Sequence, residues 1–176
     1  MTLVVIDTNF VGKGRFSPKQ ITGLGQRISA SGALLLVPEV VVWEWAEHLV
    51  SDVRLAKESL NRIEPYSELF STVGAELTTS VDEAVETISA HIDGQDSFAV
   101  SRLHGDDAIR SIRDQILQTG AGETKSGIKT GAADSTVLAL IERESRDLAA
   151  GQVLILATSD KLMHKIAVQR LSLIHI

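Results

Sequence analysis

Three short apolar runs, LVVID at 3 to 7, ALLLV at 33 to 37 and VLILATSD at 153 to 160, admit no charged residue until an aspartate ends the first and the last. A strand with one wet face alternates apolar and polar residues. Uninterrupted runs of this length read instead as strands buried on both faces of a parallel sheet. Between the first two runs, residues 17 to 31 keep a helical rhythm, with Ser17 as N-cap and Pro18 at the first helical position. Strand, helix, strand implies a right-handed crossover and parallel strands. In open sheets of this kind, ligands bind beyond the carboxyl ends of the strands. That is the edge where Asp7 and Asp160 fall.

The chain of 176 residues, 44% of them apolar, is the size of one domain with a real core. It contains no cysteine, which excludes a disulfide framework and a thiol nucleophile. The sequence enters a strand at once, so no export or membrane-spanning segment is expected, and a cytoplasmic location is the default. A net charge of −6 and 4% aromatic residues advertise neither a basic footprint nor a stacking platform for nucleic acid. This counts against a high-affinity nucleic-acid binder, although an enzyme can carry its positive charge on bound cations and a few local lysines.

From Pro38, EVVVWEWAEHLVSDVRLAKESLNRI keeps a helical rhythm up to Pro65. GAELTTS at 74 to 80 reads as a weak strand, and Ser80 with Glu83 forms a box-like start for the helix VDEAVETISAHI. The stretch 93 to 101 is polar and contains glycine, which suggests a connection. Residues 106 to 118 read as another helix, with Ile109, Ile112, Ile116 and Leu117 as its apolar, inward stripe. TGAGETKSGIKTG at 119 to 131 is the obvious flexible loop.

Two further acids are placed by helical spacing. Asp134 shares a face with Val137, Leu138 and Ile141, and it falls in a first helical turn, where the helix dipole favours an anion. Glu44 follows Val40 and Val41 and precedes His48 by one turn, but Glu39 and Glu47 compete for its role, and spacing does not choose among them. Each acid has an ordinary explanation of its own: a turn for Asp7, a helix start for Asp160, dipole compensation for Asp134, a solvated rim for Glu44. Together they are costly, since like charges gathered at one sheet edge repel unless cations or protons compensate them. Oxygen-only ligands suit Mg²⁺ or Mn²⁺ rather than zinc. The histidines show no ligand spacing, GKGRF at 12 to 16 is not a phosphate loop, and at least one of Trp43 and Trp45 is expected in a core or interface.

In chain order, VVIDTN, VPEVVVWE, TGAADSTVLALIE and ILATSD resemble the motifs of the PIN-domain family of metal-dependent ribonucleases, most of all the PIN-like members with extra helices between the second acid and the third. GAELTTSVDEAV is similar to that family's short third strand and the helix after it. The resemblance implies a three-layer α/β/α fold around a parallel sheet of about four strands, with extra helices after the second strand. It selects Glu44 and implies that Asp7, Glu44, Asp134 and Asp160 hold Mg²⁺ or Mn²⁺ and catalyse RNA hydrolysis. Asn9, Thr158 and Ser159 match the accompanying polar residues, and Lys125, Lys129 and Lys161 are placed to contact phosphate. The implied substrate is single-stranded or loop RNA, and the implied partners are an antitoxin and a second copy in a homodimer. A phosphoryl-transfer α/β domain is the alternative enzyme; the haloacid-dehalogenase kind wants a second aspartate where Asn9 stands. An inactive PIN-like module that binds RNA or protein is the third reading. The last six residues, LSLIHI, look like a translated sequencing adapter, so the domain is expected to span 1 to 170 with a non-native tail at 171 to 176.

Overall fold

The computed structural model describes residues 1–63, 79–121, 124–125, 128–129 and 131–171. The apolar runs become strands β1 (Thr2–Ile6) and β2 (Ala33–Pro38), joined by helix α1 (Pro18–Ala30), which begins with the expected proline. Helix α2 (Glu39–Ile63) follows β2 directly, and helix α3 (Val81–Asp93) opens on a complete capping box between Ser80 and Glu83. Strand β3 (Phe98–Ser101), helix α4 (Gly105–Ile116), the short strands β4 (Thr124–Lys125) and β5 (Ile128–Lys129), helix α5 (Ala132–Arg146), strand β6 (Val153–Ala157) and helix α6 (Lys161–Leu171) complete the order.

The central sheet has four parallel strands in the order β3-β2-β1-β6. From β1 the chain steps outward through β2 to β3, then returns to add β6 on the other side of β1. Right-handed crossovers therefore place α1, α2 and α3 on one face and α4 and α5 on the other, giving the three-layer α/β/α arrangement. The connections part at the β1–β6 boundary, the switch point at which open parallel sheets form their crevice. Ile6 pairs with Ala157 at its carboxyl end, and the Asp7 amide donates to the Ala157 carbonyl at 3.1 Å. The two strand-terminal aspartates thus follow paired strands.

The core is made by Val5, Ile6, Leu35, Val37, Val41, Trp45, Ile88, Ile92, Leu138 and Ile141, all essentially inaccessible to water. One close approach depends on glycine. Gly25 of α1 lies against the Phe98 ring, and a Cβ there would collide with it, so α1 packs on β3 only because this position has no side chain. No helix among the described residues is long and apolar enough to cross a membrane.

Several local expectations fail for physical reasons. The strand beside β2 is FAVS at 98 to 101, inside the stretch read as a connection; four residues are too few to show periodicity, and Ser101 masks the run. Most of the competing GAELTTS, together with Pro65, lies outside the described residues. The 119 to 131 segment is not loop alone, since β4 and β5 pair antiparallel within it, Thr124 with Lys129 and Lys125 with Ile128. Strand β6 is an edge strand with Val153 and Ile155 exposed, so it is not buried on both faces. Helix α4 is inverted relative to its reading. Ile109, Ile112 and Ile116 are 65%, 59% and 75% exposed and Leu117 is exposed too, while Asp107, Ser111 and Asp114 are buried. The buried acids meet basic partners: Asp107 pairs with Arg143 of α5, and Asp114 with Arg170 of α6 at 2.7 Å. Ser111 donates to the Ala132 carbonyl at 2.8 Å. Satisfied ion pairs and hydrogen bonds thus outweigh the apolar pattern in orienting this helix.

Candidate functional site

Asp7 ends β1 and is almost fully buried, because the sheet edge closes over it. Its carboxylate accepts from the Thr8 and Asn9 amides and from the Thr158 hydroxyl, the last at 3.0 Å. Those donors favour the ionised form, yet burial dominates and pushes its pKa up, with Asp160 adding repulsion. Thr158 has a second task. Its Oγ1 also accepts from the Asp160 amide at 3.0 Å, so one hydroxyl ties the first strand's acid to the backbone of the last.

Asp160 precedes α6 and caps it: Oδ1 accepts from the Leu162 and Met163 amides at 2.6 and 3.1 Å. The ordinary helix-start explanation is therefore correct for this oxygen. The cap also fixes the carboxylate at the sheet edge beside Asp7, whose proton affinity it raises.

Glu44 projects from the second turn of α2, half-buried, and accepts a short hydrogen bond from Thr8 Oγ1. Burial raises its pKa first, and Asp7 raises it further; the Thr8 bond and His48 pull the other way. Its rivals are employed elsewhere. Glu39 receives the Arg102 guanidinium at 3.0 Å and the Leu103 amide at 2.9 Å, and Glu47 is exposed beside His48. Of the three, only Glu44 faces the other acids.

Asp134 lies in the first turn of α5, after Gly131 in a left-handed conformation, φ 107°. Its apolar neighbours Val137, Leu138 and Ile141 are buried as the spacing requires, although burial extends around the whole helix from Ser135 to Glu142. Burial and then repulsion from Asp7, Glu44 and Asp160 raise the Asp134 pKa from 3.8 to about 6. The helix dipole that favours an anion here is too small to cancel those effects.

Asp7, Glu44 and Asp160, each from a different element, therefore lie within electrostatic reach of Asp134, and among the described residues no arginine or lysine forms an ion pair with any of the four. By donor chemistry the set fits a hard divalent cation, since uncompensated carboxylate oxygens are what Mg²⁺ or Mn²⁺ prefers. By distance it is open: no group of three or more His, Cys, Asp or Glu among the described residues converges closely enough to hold a metal ion.

Of the accompanying residues, Thr158 is integral to the site, whereas Asn9 contributes its amide and is otherwise exposed. Ser159 and Lys161 are exposed beside Asp160. Lys125 and Lys129 lie on the β4–β5 ribbon, and their side chains are outside the described residues. Sequence reasoning missed Thr8, which stands next to Asp7 and positions Glu44. Trp45 is buried and donates to the Thr8 carbonyl at 3.3 Å, while Trp43 is exposed. His48 is hydrogen-bonded to the Gly14 carbonyl at 2.5 Å. Comparison with models of protein families, with curated proteins and with solved structures finds no match to this chain.

Proposed function

We propose that this chain is a Mg²⁺- or Mn²⁺-dependent endoribonuclease of the PIN-like kind. The carrying observation is the uncompensated cluster: Asp134, at a raised pKa of about 6, responds to Asp7, Glu44 and Asp160 at once. Such repulsion is retained where cations or protons are to be bound. The order of VVIDTN, VPEVVVWE, TGAADSTVLALIE and ILATSD along the chain supports the family assignment, and the switch-point location of Asp7 and Asp160 supports the site. A bound divalent cation supplies positive charge and Lewis acidity against an anionic phosphodiester.

The residues divide the remaining work. Asp7 and Asp160, tied through Thr158, would hold the cation, and Asp134 and Glu44 would complete its surroundings. Asp134, whose pKa is raised to about 6, would accept a proton from the attacking water. Thr8 keeps Glu44 from turning to solvent. Exposed Lys161 is placed to contact RNA phosphate at the rim. A toxin role restrained by an antitoxin belongs to the same proposal.

One observation favours a second reading, a module that binds RNA or a partner without cutting: no three acids converge to ligand distance among the described residues. Titration with Mg²⁺ and Mn²⁺, followed by cleavage of single-stranded RNA, separates the two. The nuclease reading expects metal-dependent cleavage that Asp7→Asn abolishes with an unchanged circular dichroism spectrum. Cleavage retained in full by that variant removes Asp7 from the site, and RNA binding without cleavage by wild type in the presence of either metal favours the module.

A further inference from the structure

Just past the acid that ends β1, the chain turns an aromatic ring to solvent. Phe10 closes the short 3-10 turn Thr8–Phe10 and is 45% exposed. The turn is held from both sides, since the Phe10 amide donates to the Asp7 carbonyl at 3.0 Å and the Trp45 indole donates to the Thr8 carbonyl at 3.3 Å. Phe10 borders a cavity of about 430 Å³ whose other walls include Val11 and, on α1, Lys19, Gly23, Leu24 and Arg27. Lys19, Gly23 and Arg27 follow one another at one-turn spacing, so the gap left by the glycine lies between two cations. Both cations are exposed, and among the described residues neither takes part in an ion pair. No acid among the described residues lines the cavity, although the chain carries a net charge of −6.

Gly23 is the informative position. Glycine weakens a helix interior, yet a Cβ at 23 would meet nothing within 4 Å, so packing among the described residues does not ask for its absence. Gly25 is different, because the Phe98 ring occupies the place of its Cβ. We infer that this cavity is a nucleotide subsite, in which Phe10 stacks on one unpaired base of an RNA strand, the gap at Gly23 gives room to the sugar, and Lys19 and Arg27 meet the phosphates on either side. An aromatic face beside two unanswered cations is complementary to a ligand that is flat and apolar in one part and anionic in the next. A nucleotide is both. The volume falls within the range of small-molecule sites, about 300–1,000 Å³, which suits one nucleotide rather than a duplex. A base inside a duplex has both faces covered and cannot stack on Phe10. The subsite deepens the nuclease proposal and rests on it for the choice of RNA, but binding here needs no metal and is measured apart from cleavage.

The test is fluorescence anisotropy of a short dye-labelled single-stranded oligoribonucleotide on the full chain, with EDTA present to stop metal-dependent cleavage. Wild type should bind the strand, and should bind its duplex about tenfold more weakly. Phe10→Ala should weaken binding of the strand about tenfold with an unchanged circular dichroism spectrum, and Phe10→Trp should retain it. Gly23→Leu fills the cavity with a better helix former, so it should raise thermal stability while weakening binding about tenfold, two shifts that a packing role alone would not set in opposite directions. Lys19→Ala and Arg27→Ala should each flatten the slope of log affinity against log salt by about 0.7. No measurable affinity of wild type for the strand, a duplex or AMP bound as tightly as the strand, or affinity unchanged in Phe10→Ala or in Gly23→Leu would overturn the subsite, even where Mg²⁺-dependent cleavage is found. Binding lost in those variants, with no cleavage by wild type in Mg²⁺ or Mn²⁺, would uphold the subsite and overturn the nuclease reading.

Discussion

Replacing Asp134 with asparagine should stabilise the cation-free protein at alkaline pH, although it removes a residue of the proposed site. The carboxylate binds its proton more tightly folded than unfolded, with a pKa of about 6 against an ordinary 3.8. At 1.36 kcal/mol per tenfold change in proton affinity, that difference sets a ceiling of about 3 kcal/mol of destabilisation once the group ionises. Asp134 is only half-buried, so solvent screening reduces the ceiling, and asparagine forfeits about 0.5 kcal/mol of favourable helix-dipole interaction. A net gain of about 1 kcal/mol remains. Its pH dependence has a definite sign. Between pH 3.8 and about 6 the folded state holds more protons than the unfolded state, so stability conferred by protonation is present at the acid end and is lost as the pH rises through 6. Asparagine, which never ionises, is immune to that loss. Urea unfolding with a chelator present should therefore show Asp134→Asn more stable than wild type at pH 8 and equal to it near pH 4. Adding Mn²⁺ at pH 8 should stabilise wild type more than the variant. If Asp134→Asn destabilises the chelated protein at pH 8, or if the difference between the two is flat with pH, the repulsive-cluster argument fails.

Other changes probe separate links of the structure. Thr158→Val deletes the hydroxyl shared by Asp7 and Asp160; it should cost about 1–2 kcal/mol in urea unfolding and about tenfold in Mn²⁺ affinity by calorimetry, and unchanged affinity would deny Thr158 its positioning role. Gly25→Ala should lower stability by about 1–3 kcal/mol, measured by thermal unfolding, because the new methyl meets the Phe98 ring. Arg143→Met strands buried Asp107 without its partner and should cost about 3 kcal/mol in urea unfolding; a loss below about 1 kcal/mol would deny the pair its role in holding α4.

The parts of this molecule legible in its sequence are those where one local cue decides the outcome. Pro18 and the Ser80–Glu83 box mark helix starts that backbone chemistry alone enforces, and β1 and β2 follow from runs that admit no charge. The placements of Asp7 and Asp160 follow from the same runs, because β1 and β6 pair in register and deliver their terminal residues to one edge. What stayed hidden depends on partners remote in sequence. Glu39, Glu44 and Glu47 are equivalent by spacing, and only Arg102 and Leu103, more than sixty residues away, take Glu39 out of contention.

Helix α4 is the sharpest instance. Apolar periodicity says which side of a helix is distinctive, and burial of that side follows only if nothing stronger claims the opposite one. Here Asp107 and Asp114 lie on the opposite face and find Arg143 and Arg170, so the acids go in and the isoleucines stay out. Had α5 and α6 carried leucines at 143 and 170, two unpaired buried carboxylates would have cost several kcal/mol, and the stripe at 109, 112 and 116 would have turned inward. Amphipathicity thus fixes an axis through the helix, and its sense is set by charges contributed from elsewhere in the chain. The four carboxylates at the sheet edge obey the same logic without an answering arginine among the described residues. Their repulsion therefore stands in the free protein, and a cation or a proton would relieve it.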